Sequence, residues 1–410
     1  MLIPKLVEYS RRLALPPTLY VETPVRYLID LDSEGVPQGI VDTATNERGQ
    51  KRGKPIMVPA PPVKRTSGNK PLLLASNAEY TLGLARKRAA ESRHDAYRSL
   101  MQRCFDETKA PGILAICRFY ERGGVSNLNV PNDFDRDATM TFRVDNEFVA
   151  ADLAVQAFWA GNLVPPGAPV MQCQGCGHRR PVLKRLPGSL KGVPDGQPAG
   201  TSLISADKEA FQSYGLEASL TAPTCADCAE RFTKALNQLL ASDTNHVRLG
   251  SSVAVFWTSE DTADASPASL LLDPQPGEVR GFLESPRTGK RSGAPDVARF
   301  YALVLSAAGA RAVVREWIDI ALPDAEAAIR QWFTRQVIID LRTGERRYFS
   351  LTALAGATER DLKDVPPPVK RALWRAALTG ERMPSSLLSA AVRRARADGQ
   401  VTAAHVSLIK

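Results

Sequence analysis

Four of the six cysteines in this sequence form two Cys-x-x-Cys pairs, Cys173 with Cys176 and Cys225 with Cys228. Two intervening residues let both thiolates of a pair turn toward one ion, and two pairs complete a tetrahedral sulfur site typical of structural zinc. The segment 177–224 is longer than the loop of an ordinary zinc ribbon, so tertiary structure must bring the pairs together. We therefore predict that these four cysteines bind Zn²⁺.

The same cysteines admit other interpretations. They could be unliganded core residues or a redox pair, although neither explains two such pairs within one segment. His178, two residues after Cys176, could replace a cysteine as ligand or could face solvent or phosphate. Four cysteines already fill a tetrahedron, so the predicted zinc stabilises structure and activates no water. Cys104 and Cys117 are expected to be ordinary buried residues.

A short segment between prolines combines three cations with small hydrogen-bonding side chains and a glycine. Its residues are Lys64, Arg65, Thr66, Ser67, Gly68, Asn69 and Lys70. Hydroxyl and amide groups suit base edges, the glycine permits close approach, and the cations suit phosphates. We therefore predict that this segment reads DNA. The alternative is a plain turn between a strand and a helix.

A second group of cations follows the first cysteine pair directly. It consists of Arg179, Arg180, Lys184 and Arg185. A metal-bound knuckle would hold such residues rigidly against a nucleic-acid backbone, which is the role we predict for them. A merely solvated basic face is the alternative.

The sequence lacks the common catalytic motifs. It has no phosphate-binding Gly-x-x-x-x-Gly-Lys-Ser/Thr loop, no His-Glu-x-x-His and no Gly-x-Ser-x-Gly elbow. Asp30, Asp32 and Asp42 could hold a divalent metal, but their positions around a predicted hairpin favour solvated turn residues. We therefore expect no enzymatic activity.

The elements that must position these groups mix helix and strand without βαβ regularity, which predicts an α+β fold. We expect an N-terminal helix over 2–13, hairpins from 27–32 with 39–42 and from 300–306 with 313–320, and a helix over 147–160. Asn77 is a plausible helix N-cap. The segment 260–295 is rich in Pro, Gly, Asp and Ser and suggests a long mobile connection.

Three consecutive segments are expected along the chain. They are an N-terminal α+β domain with the basic loop (1–145), a central α+β region with the cysteine pairs and a zinc-knuckle element (146–323), and a mainly helical C-terminal segment (324–410). Lys and Arg number 53 against 44 acidic residues, for a net charge of +9, which favours a polyanionic partner. No apolar run reaches the ~20 residues of a membrane span, and we expect a cytoplasmic protein.

Several segments together resemble a known family. They are Leu2 to Leu13, the Lys64 to Gly68 loop with Asn77 to Gly83, Phe142 to Asp145, Thr201 to Ser205, Ala210 to Gly215, and Val255 to Trp257. In this order they resemble the large subunit of the type I-C (Dvulg subtype) CRISPR surveillance complex, Cascade. The zinc prediction depends on the cysteines alone, because many members of that family lack both complete pairs.

The resemblance implies a non-catalytic subunit that contacts the 5′ end of the CRISPR RNA and recognises the protospacer-adjacent motif in target double-stranded DNA. It also implies help in opening the duplex as an R-loop. The implied partners are the Cascade backbone and 5′-handle-binding subunits, the small subunit and a helicase-nuclease effector. Such division of labour, in which protein reads a short flank and base pairing reads the rest, suits a basic chain without a catalytic site.

Two other functions remain open from the residues. A zinc-stabilised DNA-binding protein outside CRISPR, such as a transcription regulator, is disfavoured because no helix-turn-helix or dimerising coiled coil is evident. A nuclease or deaminase is the other. The deaminase signature requires His-x-Glu ahead of Pro-Cys-x-x-Cys, which this sequence does not contain.

Overall fold

The structure, a computed structural model, describes residues 1–47, 50–62, 71–84, 90–131, 133–260, 267–284 and 298–410. Within these ranges the α-helices are α1 (Leu2–Ser10), α2 (Ala78–Thr81), α3 (Ala90–Thr108), α4 (Pro111–Glu121), α5 (Leu153–Gly161), α6 (Ala226–Ala241), α7 (Pro276–Glu284), α8 (Leu322–Gln336), α9 (Leu351–Gly356), α10 (Pro367–Thr379), α11 (Ser385–Asp398) and α12 (Ala403–Ile409). Among these helices, none is long and apolar enough to cross a bilayer.

The strands of the same ranges are mostly short. They are β1 (Tyr20–Val25), β2 (Tyr27–Leu31), β3 (Pro37–Asp42), β4 (Thr45–Glu47), β5 (Gln50–Arg52), β6 (Lys54–Pro59), β7 (Met140–Val144), β8 (Glu147–Phe148), β9 (Val170–Gln172), β10 (Arg179–Pro181), β11 (His246–Leu249), β12 (Ser252–Thr258), β13 (Arg299–Ala308), β14 (Arg311–Ala321), β15 (Ile338–Ile339) and β16 (Arg346–Arg347). The predicted α+β fold is confirmed.

The chain forms two compact units. One, here called the cysteine unit, comprises Leu13–Gly188 and Ala206–Phe232, and the other, the helical unit, comprises Met1–Arg12, Ser189–Ser205 and Thr233–Lys410. Each unit is built from separated stretches of sequence, whereas the sequence predicted three consecutive segments. The boundaries of those segments stay a prediction.

The cysteine unit contains a mixed sheet in the order β3-β2-β7-β8. The predicted hairpin of β2 and β3 is present, and β2 pairs in parallel with β7. Arg143 of β7 donates two hydrogen bonds, of 2.8 and 2.6 Å, to the carboxylate of Asp30 on β2. Asp32 accepts from the backbone N–H groups of Glu34 and Val36 and so shapes the turn. Asp32 therefore agrees with the turn interpretation, whereas Asp30 is a strand residue that joins β2 to β7.

The antiparallel pair β1–β6 precedes residues 64–70, here called the basic segment. Its end is anchored because the Ala60 N–H donates to the Leu19 carbonyl at 2.6 Å and the Ala60 carbonyl accepts from Trp159 Nε1 at 2.9 Å. Ser76 exchanges two backbone hydrogen bonds with Met140 on the other side of that segment. Both flanks of residues 63–70 are thus held by the unit.

The helical unit places the antiparallel sheet β11-β12-β13-β14 against helices. The long β13–β14 hairpin confirms the second predicted hairpin. Phe256 of β12 packs 5.8 Å, between ring centroids, from Trp374 of α10, and both side chains are buried. Burying such large aromatic surfaces contributes to the hydrophobic stabilisation of this unit.

Three local expectations need correction. The N-terminal helix ends at Ser10, and the helix expected over 147–160 begins only at Leu153, where the Asp152 carboxylate caps it. Of the expected mobile connection over 260–295, the described part 267–284 contains α7, and Leu271 and Val279 are fully buried in the core of the helical unit. That part was predicted wrongly because its Pro and Gly content was taken as the sign of a loop, although it also contains a few apolar residues that become buried.

Candidate metal centre and basic hairpin

The first cysteine pair lies in the turn of a small antiparallel hairpin formed by β9 and β10. The Cys173 N–H donates to the His178 carbonyl at 2.9 Å, and the Gly177 N–H donates to the Cys173 carbonyl at 2.8 Å. Gly177 has a φ of +75°, a conformation that glycine adopts without steric cost. These bonds close the turn and direct Cys173 and Cys176 to the same side.

The second pair lies at the start of a helix. Cys225 immediately precedes α6, and Cys228 is in its first turn. The segment before Cys225 pairs with the strand that leaves the hairpin, since the Leu183 N–H donates to the Thr224 carbonyl at 3.1 Å and Val182 forms a β-bridge with Cys225. The backbone therefore joins the two pairs independently of any metal.

The four sulfur atoms lie within 4.8 Å of one another. Tetrahedral zinc with Zn–S bonds of ~2.3 Å requires sulfurs about 3.8 Å apart, so this donor set fits one such ion with small adjustments. Cys173, Cys225 and Cys228 are buried, and Cys176 is half-buried. The arrangement can hold a metal ion, as the spacing of the cysteines predicted.

Backbone N–H groups point at one sulfur in particular. Gly175 N and Cys225 N each lie 3.3 Å from Cys173 Sγ. Burial alone raises the pKa of the Cys173 thiol, but the hydrogen bonds from Cys225, Cys176 and Gly175 outweigh burial and lower the pKa to about 7. Cys173 is thus prepared to be a thiolate, the form that binds metals.

The pKa values of Cys225 and Cys228, the second pair, are shifted in the opposite direction. Burial raises the pKa of the Cys225 thiol to about 11, and burial likewise raises the pKa of Cys228. Four thiolates this close cannot all ionise without a compensating cation. The site therefore needs either retained protons or a bound metal ion.

Gly175 is a residue of this site that the sequence interpretation missed. A Cβ at this position would lie 2.8 Å from both Cβ and Sγ of Cys228, closer than real Cβ atoms approach other atoms. A glycine between the two cysteines of a pair is the signal that could have identified it. His178 is exposed, and the four-residue cluster consists of cysteines.

The four predicted backbone-contacting cations lie beside this cluster and are exposed. Arg179 and Arg180 belong to β10, where they pair with Gln172 and Met171 of β9. Lys184 forms an ion pair with Glu217, and that lysine lowers the pKa of the Glu217 carboxyl. Among the residues that the structure describes, Arg179, Arg180 and Arg185 have no acidic partner. We call the β9–β10 pair together with 182–185 the basic hairpin.

The predicted DNA-reading residues Lys64, Arg65, Thr66, Ser67, Gly68, Asn69 and Lys70 lie outside the described residues. Their role stays a prediction.

The two remaining cysteines are buried, as predicted, and distant in sequence from the cluster. Burial raises the pKa of the Cys104 thiol to about 12 and that of Cys117 to about 11. Such thiols remain protonated and unreactive near neutral pH.

Comparison of the sequence with known protein families gives one match. A family model described as CRISPR-associated protein (Cas_Csd1) matches residues 6–410, nearly the whole sequence. No curated protein matches the chain.

Proposed function

This chain belongs to the CRISPR-associated Cas_Csd1 family, and from that membership we propose that it is the non-catalytic large subunit of a type I-C (Dvulg subtype) Cascade surveillance complex. In this role it contacts the 5′ end of the guide RNA, recognises the protospacer-adjacent motif in duplex DNA, aids R-loop initiation and helps to recruit the helicase-nuclease effector. The match over residues 6–410 is the observation that carries the proposal.

The structural metal in this proposal is Zn²⁺, held by Cys173, Cys176, Cys225 and Cys228. Four sulfur ligands complete a tetrahedron, so the ion stabilises structure and leaves no position for a reacting water. Its effect is to link the hairpin turn to the start of α6, in addition to the backbone bonds that already join them.

The basic hairpin contacts a nucleic-acid backbone in this proposal. Its side chains are exposed, and three of its cations have no acidic partner among the described residues, so their charge is available to phosphate. Each phosphate that a cation neutralises releases a counterion, which favours binding without regard to base sequence.

The segment Lys64 to Lys70 reads the DNA flank. Support comes from its residue types and from its anchored flanks at Ala60 and Ser76. Partners of the assembled complex are the CRISPR RNA, the target duplex, the backbone and 5′-handle-binding subunits, the small subunit and the helicase-nuclease. We propose a cytoplasmic location, where these partners would meet foreign DNA.

The proposal is tested by assembling the chain with guide RNA and backbone subunits and selecting bound duplexes from a pool with a randomised flank. We expect a short motif to be enriched, and the enrichment to disappear when this chain is omitted. Equal recovery of all flanks with and without the chain would overturn the proposal. Sequence-specific binding by the isolated chain without guide RNA would instead favour a zinc-stabilised DNA-binding protein outside CRISPR.

A further inference from the structure

Tyr214, in the cysteine unit, is far more exposed than the other tyrosines of the sequence. It is 97% exposed, whereas every other tyrosine is buried or half-buried. Phe211, on the same short segment, is 51% exposed. Folding normally buries large aromatic side chains, so two exposed rings close together indicate a surface that binds a partner.

A tight turn holds Tyr214 in this exposed position. The Leu216 N–H donates to the Ser213 carbonyl at 2.9 Å, and these two residues also form an antiparallel β-bridge. Between them, Tyr214 and Gly215 have φ values of +54° and +67°, as a two-residue type I′ turn requires. Glycine and asparagine adopt such angles readily, whereas a tyrosine is strained by them. A strained residue whose ring lies almost entirely in water favours a functional role.

The turn is fixed to the basic hairpin by two contacts. The Ser219 N–H donates to the Lys184 carbonyl at 3.2 Å, and the side chains of Lys184 and Glu217 form an ion pair. Tyr214 and Glu217 are so close in sequence that their Cα atoms are at most about 11 Å apart. Tyr214 therefore lies near the chain at Lys184 and Arg185, within the same compact unit.

The charges around the turn favour a negatively charged ligand. The basic hairpin and the segment 206–217 together carry more cations than carboxylates, and all of these groups are exposed. The cations are Arg179, Arg180, Lys184, Arg185 and Lys208, and the carboxylates are Asp207, Glu209 and Glu217. The Glu217 carboxylate is already paired with Lys184. The exposed rings thus lie beside a surface of net positive charge.

An unpaired base of a nucleic acid matches these features together. Every base has a flat face that stacks on an aromatic side chain, and the phosphates that accompany it are attracted to cations. An apolar segment of a protein partner would cover the rings but would leave the arginines of the basic hairpin without partners. The combination of an exposed ring with nearby cations therefore favours a single-stranded nucleic acid.

We propose that Tyr214 stacks on an unpaired base of the nucleic acid whose backbone contacts the basic hairpin. The inference rests on the proposed function, since it assumes that the basic hairpin contacts nucleic acid, and it adds a base-stacking residue to that contact. Stacking tolerates any base, so Tyr214 holds a strand without reading its sequence. The base can come from the guide RNA or from the opened target DNA, because the chemistry of stacking is the same in both.

The two sources are distinguished by photo-crosslinking in the assembled complex. In one arm, 5-iodouridine is placed at successive positions of the guide RNA, and in the other, 5-iododeoxyuridine is placed at successive positions of each target strand. Both analogues crosslink to aromatic rings that stack on them. A crosslink to Tyr214 from one strand is expected, and the arm that gives it identifies the source. Absence of this crosslink in both arms would overturn the inference.

The Tyr214→Asn variant separates stacking from a structural role. Asparagine adopts the left-handed conformation of this turn more readily than tyrosine, so thermal stability should be unchanged or higher. We expect the affinity of the assembled complex for target to fall by about fivefold to a hundredfold, the loss typical of one stacked base. Tyr214→Phe keeps the ring and should bind normally. Leu341→Ala, at a residue of the helical unit that is also 97% exposed, is the control.

Two results would assign Tyr214 another role and overturn the inference. Lower thermal stability of Tyr214→Asn with unchanged affinity would show that the residue only stabilises the turn. If p-benzoylphenylalanine in place of Tyr214 crosslinks to a protein subunit and to neither nucleic acid, the ring is a protein contact.

Failure of the inference can be told apart from failure of the proposed function. If omitting the chain abolishes flank selection while Tyr214→Asn binds target normally, the inference fails and the proposed function stands. If omission changes nothing in flank selection, the proposed function itself fails.

Discussion

The backbone N–H of Cys225 lies 3.3 Å from Sγ of Cys173 and donates a hydrogen bond to it, although 52 positions separate the two residues. This contact joins the turn of the basic hairpin to the start of α6. It also stabilises negative charge on a buried sulfur, which is what a metal ligand requires.

Replacing one ligand should release the metal. Cys228→Ser is expected to lower the zinc content from about one ion per chain to well below that, and to cost on the order of 4 kcal/mol of stability. At about 2–4 °C per kcal/mol for a unit of this size, the melting temperature falls by roughly 10 °C. Metal analysis and thermal unfolding measure both effects. Cys117→Ala, at a buried thiol outside the cluster, is the control and should keep full zinc content.

Gly175→Ala should weaken the site without removing a ligand. The added methyl would meet Cys228 at 2.8 Å and force the two pairs apart. We expect a loss of about 10–100-fold in metal affinity, as for other residues that support metal ligands. Chelator competition measures the affinity. Gly161→Ala, where a Cβ meets nothing within 4 Å, is the matched control, and equal affinities of the two variants would contradict the prediction.

The stability of the metal-free chain should depend on pH in two opposite ways. The pKa of Cys173 is lowered from its ordinary 9.0 to about 7, so between pH 7 and 9 the unfolded chain binds more protons and stability rises with pH. The pKa of Cys225 is raised from 9.0 to about 11, so between pH 9 and 11 the folded chain binds more protons and stability falls. Denaturant unfolding with chelator present should therefore find a maximum near pH 9. A monotonic profile would contradict these shifts.

The metal-loaded chain should respond to acid instead. Thiolate ligands must release their protons to bind zinc, so protons compete with the ion as pH falls. We expect zinc to be retained at pH 8 and released progressively below about pH 7, with a loss of thermal stability. A coloured zinc indicator follows the release, and Cys228→Ser should show little indicator response at any pH.

Removing cations of the basic hairpin should weaken nucleic-acid binding uniformly. Arg179→Ala with Arg180→Ala is expected to lower the affinity of the assembled complex for all target sequences and to reduce the slope of log K against log salt by about 0.9 for each lost phosphate contact. Arg382→Ala, at an exposed arginine of the helical unit, is the control. A changed flank preference would instead mean that these residues read bases.

Substitutions in the basic segment should affect DNA binding differently from substitutions in the basic hairpin. Asn69→Ala is expected to alter which flanks are enriched from a randomised pool, because the amide is predicted to contact a base edge, whereas Lys70→Ala removes a predicted phosphate contact and should weaken binding of all flanks. Each lost base contact is expected to reduce discrimination by roughly 1–3 kcal/mol. Unchanged preference in Asn69→Ala together with unchanged affinity in Lys70→Ala would favour the alternative, a plain turn between β6 and α2.

Much of the local structure was predictable because it depends on neighbours in sequence. The turn Ser33-Glu34-Gly35 between two strand-like runs predicted the β2–β3 hairpin, and the turn Ala307 to Ala310 predicted the β13–β14 hairpin. The Cys-x-x-Cys spacing predicted that the four sulfur atoms could share one metal ion, and their positions agree with this. The expectation of a mobile connection failed at 267–284, because burial of Leu271 and Val279 depends on partners far away in the chain.

The sequence by itself determined the type and spacing of four cysteines that could hold a metal ion, the family to which the chain belongs and the presence of cations beside the first cysteine pair. Only the tertiary structure decided that the pairs meet, that Glu217 neutralises Lys184, and that Asn77 Oδ1 is buried without a hydrogen-bond partner. The physical reason is the distance along the chain over which each effect acts. Spacing along the chain controls which groups share a turn, whereas charge neutralisation, burial and hydrogen-bond satisfaction depend on residues brought together by folding.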